Sequence, residues 1–527
     1  MSVAAAFAGS PRELSLPAKI FAFGTLCVGA FIALLDIQIV AASLSEIGGG
    51  LSAGPDEISW VQTSYLIAEI IVIPLSGWLS RVMSTRWLFC ASAAGFTVTS
   101  LLCGAAWDMH SMILFRALQG FLGGSMIPTM FTAAFYFFSG RQIVLAAATI
   151  GALSSMAPTL GPTVGGWITD HYSWHWLFFV NLVPGTFVAV MVPLLVRIDR
   201  PNLALLRDGD YLGMVLMAVF LGTLEYTLEE GARWEWFGDA TIRMTAWTAG
   251  IAGVLFIWRS LSAANPVVDL RALKSANFSL GCFFSFVTGI GIFSTIYLTP
   301  LFLARVRGFS ALDIGLAVFS TGIFQVLGIP IYATLARRID LRWLMMAGLA
   351  GFALSMWDFA PISHDWGWRE LLLPQAFRGF SQQFAVAPVV TLTLGGLPPE
   401  RLKFASGLFN LMRNLGGAIG IALCGTLLND RANLHFLRLA EHLNAGNAAM
   451  MGFLARRDHV DGAFLSDPAQ AHAAALKQLW SLTWREAQTQ TYADAFLAIG
   501  LCFLAATMMV PLMRKLAPRQ APVAETH

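Results

Sequence analysis

The chain has 527 residues, of which 57% are hydrophobic and 12% charged, with a formal net charge of +2. Soluble domains carry about 25% charged residues, so most of this chain belongs in lipid. The near-neutral charge excludes the basic footprint of a nucleic-acid binder, and no G-x-x-x-x-G-K-[ST] loop is present to hold a nucleotide phosphate.

A helix needs about 20 apolar residues to cross the hydrocarbon core, and about fourteen such segments can be counted. They centre near Ala33, Ala68, Phe96, Gly123, Ser155, Phe187, Val219, Gly250, Gly289, Gln325, Gly351, Ala385, Gly417 and Cys502. The first run, Ile20 to Ala42, is too long for a signal-peptide core and is read as a span. The seventh is interrupted by Glu225, which is read as lying near an interface. Cytoplasmic loops collect lysine and arginine. With the N-terminus inside, inner segments hold Arg12, Arg81, Arg86, Arg141, Arg197, Arg200, Arg207, Arg337, Arg338 and Arg519, whereas outer loops hold only Arg233, Arg305, Arg307 and Arg369. An even number of spans then returns the C-terminus to the cytoplasm.

Two connections are long. Residues 197–211 are polar and separate the first six spans from the rest. Residues 429–491 lie outside, and Asp467 to Tyr492 is expected to be helical, with Leu476, Leu479, Trp480 and Trp484 as an apolar stripe that needs a covering surface. The organisation expected is residues 1–196 as a six-helix bundle, 197–275 as a linker with two additional transmembrane helices, and 276–527 as a second six-helix bundle carrying the outer loop 429–491. A faint repeat supports two related halves: RALQG before Pro128 in the fourth span is echoed by FRGFSQQ before Pro388 in the twelfth.

Charges inside spans mark candidate sites, because a charged side chain at the bilayer centre costs at least about 2.5 kcal/mol on insertion scales. Asp36 in the first span is either a proton carrier or a carboxylate permanently paired to an arginine such as Arg116. Glu69 in the second span is a second protonatable site or the partner of a base. Arg116 in the fourth span stays charged and tunes a nearby acid or bonds helix carbonyls. Gln119, one turn on, is expected to line a cavity. Arg378 and Arg413, in the twelfth and thirteenth spans, either face a shared cavity and attract acidic substrates or bond carbonyls for packing. In the fifth span, Gly161, Pro162, Gly165 and Gly166 offer no side-chain chemistry; their role is close packing and a kink. His171 and His175 sit among aromatics in DHYSWHW and are read as part of an interfacial belt, not a metal site. The six cysteines are scattered through apolar runs without zinc or redox spacing.

These motifs resemble a known family. LLDIQIV (34–40) is similar to the first-span L-D-x-T-I-V motif of the fourteen-span drug:proton antiporters of the major facilitator superfamily, EmrB/QacA type, with Gln38 at the threonine position. FRALQGFLGG is similar to the fourth-span R-x-x-Q-G motif, and APTLGPTVGG (157–166) to the fifth-span antiporter motif, which is typical of exporters. LPPERLKFASGLFNLMRNLGGAIG (397–420) looks like the thirteenth-span entry. The loop between spans two and three departs: GWLSRVMSTR (77–86) has Arg81 where the family has the aspartate that helps latch its inner gate. The resemblance implies an all-α major facilitator fold and a proton-transfer role for Arg116, to which the mid-span positions of Asp36 and Glu69 add two candidate proton-coupling acids. It further implies a non-enzymatic, cofactor-free exporter of hydrophobic or amphiphilic compounds in the bacterial inner membrane, working with a periplasmic adaptor and an outer-membrane channel. Gln38, Gln119, Arg378 and Arg413 are the expected substrate-cavity residues. Export of one metabolite or siderophore is the alternative; proton-coupled import is weakened by the fifth-span motif.

Overall fold

The computed structural model describes residues 14–515 apart from 445, 463, 465 and 466. Arg12 and Arg519 of the charge pattern lie outside them. The described chain is all helix, with no strand. The long helices are α1 (Leu16–Ala41), α2 (Trp60–Met83), α3 (Thr85–Gly104), α4 (Met109–Gly124), α5 (Met126–Phe137), α6 (Arg141–His171), α7 (Leu182–Leu195), α8 (Tyr211–Gly231) and α9 (Ala240–Ser262). They continue with α10 (Ala276–Arg305), α11 (Ala311–Leu335), α12 (Leu341–Asp358), α13 (Trp368–Leu394), α14 (Pro399–Glu441), α15 (Ala448–Gly462) and α16 (Pro468–Met509).

Every expected span centre falls inside one of these helices. Eleven helical stretches among the described residues are long and apolar enough to span a bilayer, one of them Trp176–Leu195, which joins a short helix to α7. The other three centres lie in shorter or more polar helices. Gly123 is in the 16-residue α4, which continues into α5 after a break at Ser125. Gly351 is in the 18-residue α12, and Ala385 is in α13, which buries Gln375, Arg378, Gln382 and Gln383. Local signals set several starts. Asp108 caps α4 by accepting from Ser111 N at 2.7 Å, and Asp239 caps α9 at Thr241 N and Ile242 N. Asp210 caps α8 at Gly213 N and takes a 2.8 Å ion pair from Arg259, which ties the two ends of the α8–α9 hairpin. Each cap satisfies backbone donors that a helix start leaves orphaned.

In the N-terminal half α1 packs on α6 and α7, and α4 packs on α2 and α3; in the C-terminal half α10 packs on α14, and α13 on α11 and α12. Two seams join the halves, α2 against α14 and α6 against α11. The α8–α9 hairpin lies to one side, attached through α8 to α2 and α14. Its outward face is bare to lipid: Val215, Trp247 and Val254 are 60%, 70% and 69% exposed.

The segment 429–491 is more ordered than a loop. The thirteenth span's helix runs on to Glu441, and α16 starts at Pro468 and continues unbroken into the last span. A 43-residue helix is about 65 Å long, twice the hydrocarbon core of about 30 Å, so α14 and α16 project well beyond one membrane face. The expected apolar stripe is not what packs α16 onto the protein's own outer helices. The buried side of α16 is Ala471, Ala475, Thr483 and Ala487, packed on α14 and α15, while Leu476 and Trp480 are 45% and 53% exposed. Small residues let the helices approach and turn the bulky ones outward. There Trp480 stacks on Trp484 with centroids 5.9 Å apart, and Phe436 meets both edge-on.

Candidate functional site

Two groups of ionisable side chains lie inside the bundle, and they differ in how they are satisfied. The first is a hydrogen-bonded network around Asp36 on α1, in which Arg116 Nη2 alone of the side-chain polar atoms is buried without a partner among the described residues. Its Oδ2 accepts from Arg116 Nη1 at 2.5 Å, and its Oδ1 accepts from Asn181 Nδ2 at 2.7 Å and Gln119 Nε2 at 3.1 Å. Arg116 also donates to Gln119 Oε1 at 2.8 Å and to the carbonyl of Val61 at 3.0 Å, and its guanidinium lies 4.3 Å from the Tyr65 ring centroid. Ser100 Oγ accepts from both Gln119 and Asn181 and donates to Phe178 O. Asp36, Arg116 and Gln119 are fully buried. Of the two readings of Asp36, the paired one describes this form: Asp36 and Arg116 make a direct ion pair inside a five-residue network. Asn181 and Ser100 went unrecognised in the sequence. Asn181 reaches inward because it stands in the break between a short helix, Trp176–Phe179, and α7.

The second group surrounds a cavity of about 80 Å³ between the two halves. Gln38 of α1, Gln62 and Glu69 of α2, Ser154 and Pro158 of α6, Glu225 and Glu229 of α8, Phe293 of α10 and Asn414 of α14 line it, with Leu34, Leu66 and Ile421 among the apolar remainder. Glu69 and Glu225 are 4% and 5% exposed, and neither has an ion-pair or hydrogen-bond partner among the described residues. Glu225 Oε2 is buried without a partner. No lysine or arginine lines the cavity.

Of the expected cavity residues, Gln38 is in place. Gln119 is held in the Asp36 network. Arg378 does not line the cavity: it is 3% exposed on α13 and donates to Thr321 Oγ1 at 2.8 Å and Gln375 Oε1 at 3.1 Å. Thr321 and Gln375 are themselves bonded, and Gln375 reaches Ala317 O, so the group fastens α13 to α11. Arg413 sits beside the cavity, not on its lining. It donates to Asn410 Oδ1 at 3.0 Å and Ser154 Oγ at 3.4 Å, with its guanidinium 5.5 Å from the Phe131 centroid. A helix face cannot be assigned to one arginine from sequence alone, and both arginines turn toward neighbouring helices.

The fifth-span motif packs α6 against α1. A Cβ on Gly161 would stand 2.2 Å from Gln38 Cβ, and one on Gly165 would stand 2.8 Å from Ile39 O. Pro158 and Pro162 lie inside α6, and Gly166 is buried beside Gly165. On its other side α6 meets α11, where Thr163 touches Gly315. One helix thus contacts the cavity wall, the Asp36 helix and the opposite half.

At the end of α2 where the sequence lacks its acid, another acid is present. Asp199, from the linker after α7, accepts from Thr85 N at 3.0 Å and bonds Lys403 Nζ of α14. Lys403 also donates to Ser80 O at 2.9 Å, and Arg81 lies over the Phe404 ring at 4.9 Å. The linker is held in place by Asn202 N, which donates to Arg81 O and Val82 O.

Residues 26–420 and 281–518 match the family model described as the Major Facilitator Superfamily. The chain is 36% identical over 493 residues to the colistin resistance protein EmrB of Acinetobacter baumannii, covering 93% of this chain and 95% of that one. It is 32% identical over 423 residues to the multidrug export protein EmrB of Escherichia coli, covering 80% and 82%. Among solved structures, the proton:xylose symporter XylE superposes with a TM-score of 0.61 at 10% identity, covering 95% of this chain and 96% of that one. That last likeness concerns the fold.

Proposed function

The chain belongs to the major facilitator superfamily, among the EmrB-type proteins, and is a multi-pass membrane transport protein rather than an enzyme; from that premise we propose that it is a proton-driven exporter of hydrophobic or amphiphilic compounds. The observation that carries the reading is the carboxylate-lined, partly apolar cavity between the two halves. Relatives named for multidrug export and colistin resistance support efflux as the direction.

In this reading residues 1–196 and 276–527 rock about the cavity, with 197–275 as linker and added hairpin. Glu69 takes a proton from one side and releases it to the other, because it lines the cavity with no hydrogen-bond or ion-pair partner among the described residues. Asp36 exchanges its proton only when α1 and α4 separate, since Arg116 and two amides satisfy it in the form described. Arg116 remains charged throughout and supplies the fixed counter-charge. Gly161, Pro162, Gly165 and Gly166 keep α6 tight on α1, so water does not connect the two acids. Asp199 and Lys403 close the cytoplasmic seam in place of the latch acid missing at Arg81.

Both termini are cytoplasmic and the membrane is the bacterial inner membrane. The helical projection of α14, α15 and α16 then faces the periplasm, where it docks an adaptor that leads to an outer-membrane channel. Everted membrane vesicles test the transport claim. An imposed inward-acid pH gradient should drive uptake of a lipophilic dye, and a protonophore should abolish it. Uptake indifferent to the gradient would remove proton coupling.

A further inference from the structure

The α8–α9 hairpin is the part of the chain outside the two six-helix bundles, and a passive spacer would show lipid only apolar side chains and its neighbours only packing ones. α8 does otherwise. Its lipid face carries Val215 and Val219, 60% and 39% exposed. Its inner face carries Met217, Leu221 and then Glu225, all buried, each four residues from the last. Glu229 follows one turn later and lines the same cavity. The helix is fixed in this rotation by Trp60 stacking on Tyr226 at 5.4 Å, and by Thr63 donating to Glu230 Oε1 at 3.2 Å. The two glutamates therefore face the cavity because the helix is anchored that way.

Two carboxylates at i and i+4 repel each other on a helix, and Glu69 adds a third to the same cavity from α2. The bases nearby are engaged elsewhere: Arg116 with Asp36, and Arg413 with Asn410 and Ser154. Glu225 Oε2 is buried with no hydrogen-bond partner, in a residue only 5% exposed. Buried polar atoms are paired in the great majority of cases, so an orphaned carboxylate oxygen directed at a cavity marks a place for a ligand. The remaining lining mixes the polar Gln38, Gln62, Ser154 and Asn414 with apolar and aromatic side chains such as Leu66, Phe293 and Ile421. Carboxylates beside apolar surface match a positive centre carried on an apolar body.

We infer that α8 is part of the substrate site: Glu225, supported by Glu229, binds the cationic head of a lipophilic organic cation, such as a quaternary phosphonium or a protonated amphiphilic amine. This rests on the exporter reading above and deepens it. Such a ligand is larger than the cavity of about 80 Å³, so the halves must open to admit it, and Phe293 and Leu66 then face its apolar body. Glu69 stays free for the proton, so charge recognition and proton exchange fall on different helices.

The test is equilibrium binding to the purified full-length protein in detergent, with labelled tetraphenylphosphonium as the cation and an uncharged lipophilic dye as the control. Glu225→Gln should weaken phosphonium binding at least tenfold and leave dye binding within twofold. Glu229→Gln should give the same selective loss, at least threefold; Glu229 is less buried than Glu225 and carries the test if Glu225→Gln does not remain monodisperse. Unchanged phosphonium affinity in the folded variants overturns the inference, as does an equal loss for both ligands. Because binding is read without a gradient, a wild type that binds phosphonium but shows no gradient-driven transport would count against the exporter reading alone.

Discussion

The Asp36 network and the glutamate cavity lie in the same bundle, share α1 and α2, and treat buried charge in opposite ways. Around Asp36 an arginine and two amides meet one carboxylate, and a hydroxyl braces the two amides. Around the cavity Glu69, Glu225 and Glu229 converge with no base among the lining residues. A hydrogen-bonded buried pair holds helices in one arrangement, whereas the cavity acids, without such partners, are the ones we propose to meet a proton or a ligand first. The contrast separates the part of the site that is locked in this form from the part proposed to exchange in it. It also decides how each responds to substitution.

The largest expected effect comes from breaking the hydrogen-bonded network. Arg116→Met leaves Asp36 buried without its counter-charge, and removing one partner of such a pair costs about 3–5 kcal/mol. Thermal unfolding in detergent should show a sharp loss of stability; a variant as stable as wild type would mean that Asp36 is not kept charged by Arg116. Next is the wall between the two regions. At Gly161 even alanine meets Gln38 Cβ, so Gly161→Ala should cost about 1–3 kcal/mol through displaced helices and slow vesicle transport severely. Transport by Gly161→Ala at the wild-type rate would show that α1 and α6 are not tightly packed there.

How much of this was legible in the sequence depended on range. Apolar runs placed every span centre, because crossing a bilayer is a local length requirement. The motif glycines announced a close helix approach, while the sequence leaves Asp36 either a proton carrier or the partner of an arginine such as Arg116. What the sequence did not reveal were partners brought in from afar. Asn181 and Ser100 complete the Asp36 network only because a helix break and a neighbouring span bring them together. Asp199 reaches Lys403 across 204 positions, so the arginine in the loop between the second and third spans looked like a missing latch. Glu229 could have been noticed from its i+4 spacing to Glu225, but the direction of that face depends on how α8 docks. Arg378 points the same lesson the other way: as a buried base in a span it suggested acidic substrates, and it proves to be tied to Thr321 and Gln375.

That correction yields a smaller prediction. Arg378→Gln retains part of the hydrogen bonding and should cost about 1 kcal/mol. It should slow transport of acidic and cationic compounds by the same factor, since it acts through the α11–α13 contact. A loss confined to acidic compounds would return Arg378 to substrate recognition. The smallest effect belongs to the open region: Glu229→Gln should change thermal stability by less than about 0.5 kcal/mol, because no partner is lost. A large destabilisation there would mean that the cavity acids are structural after all.

The most direct test of the account compares two modes of transport in Glu69→Gln, reconstituted in proteoliposomes. A glutamine fills the same space but cannot carry a proton. Uptake of a lipophilic substrate driven by a pH gradient should vanish, while gradient-free exchange of labelled for unlabelled substrate should persist, since the cavity and the rocking of the halves are intact. Gradient-driven uptake at the wild-type rate in Glu69→Gln would contradict the assignment of proton exchange to the open cavity.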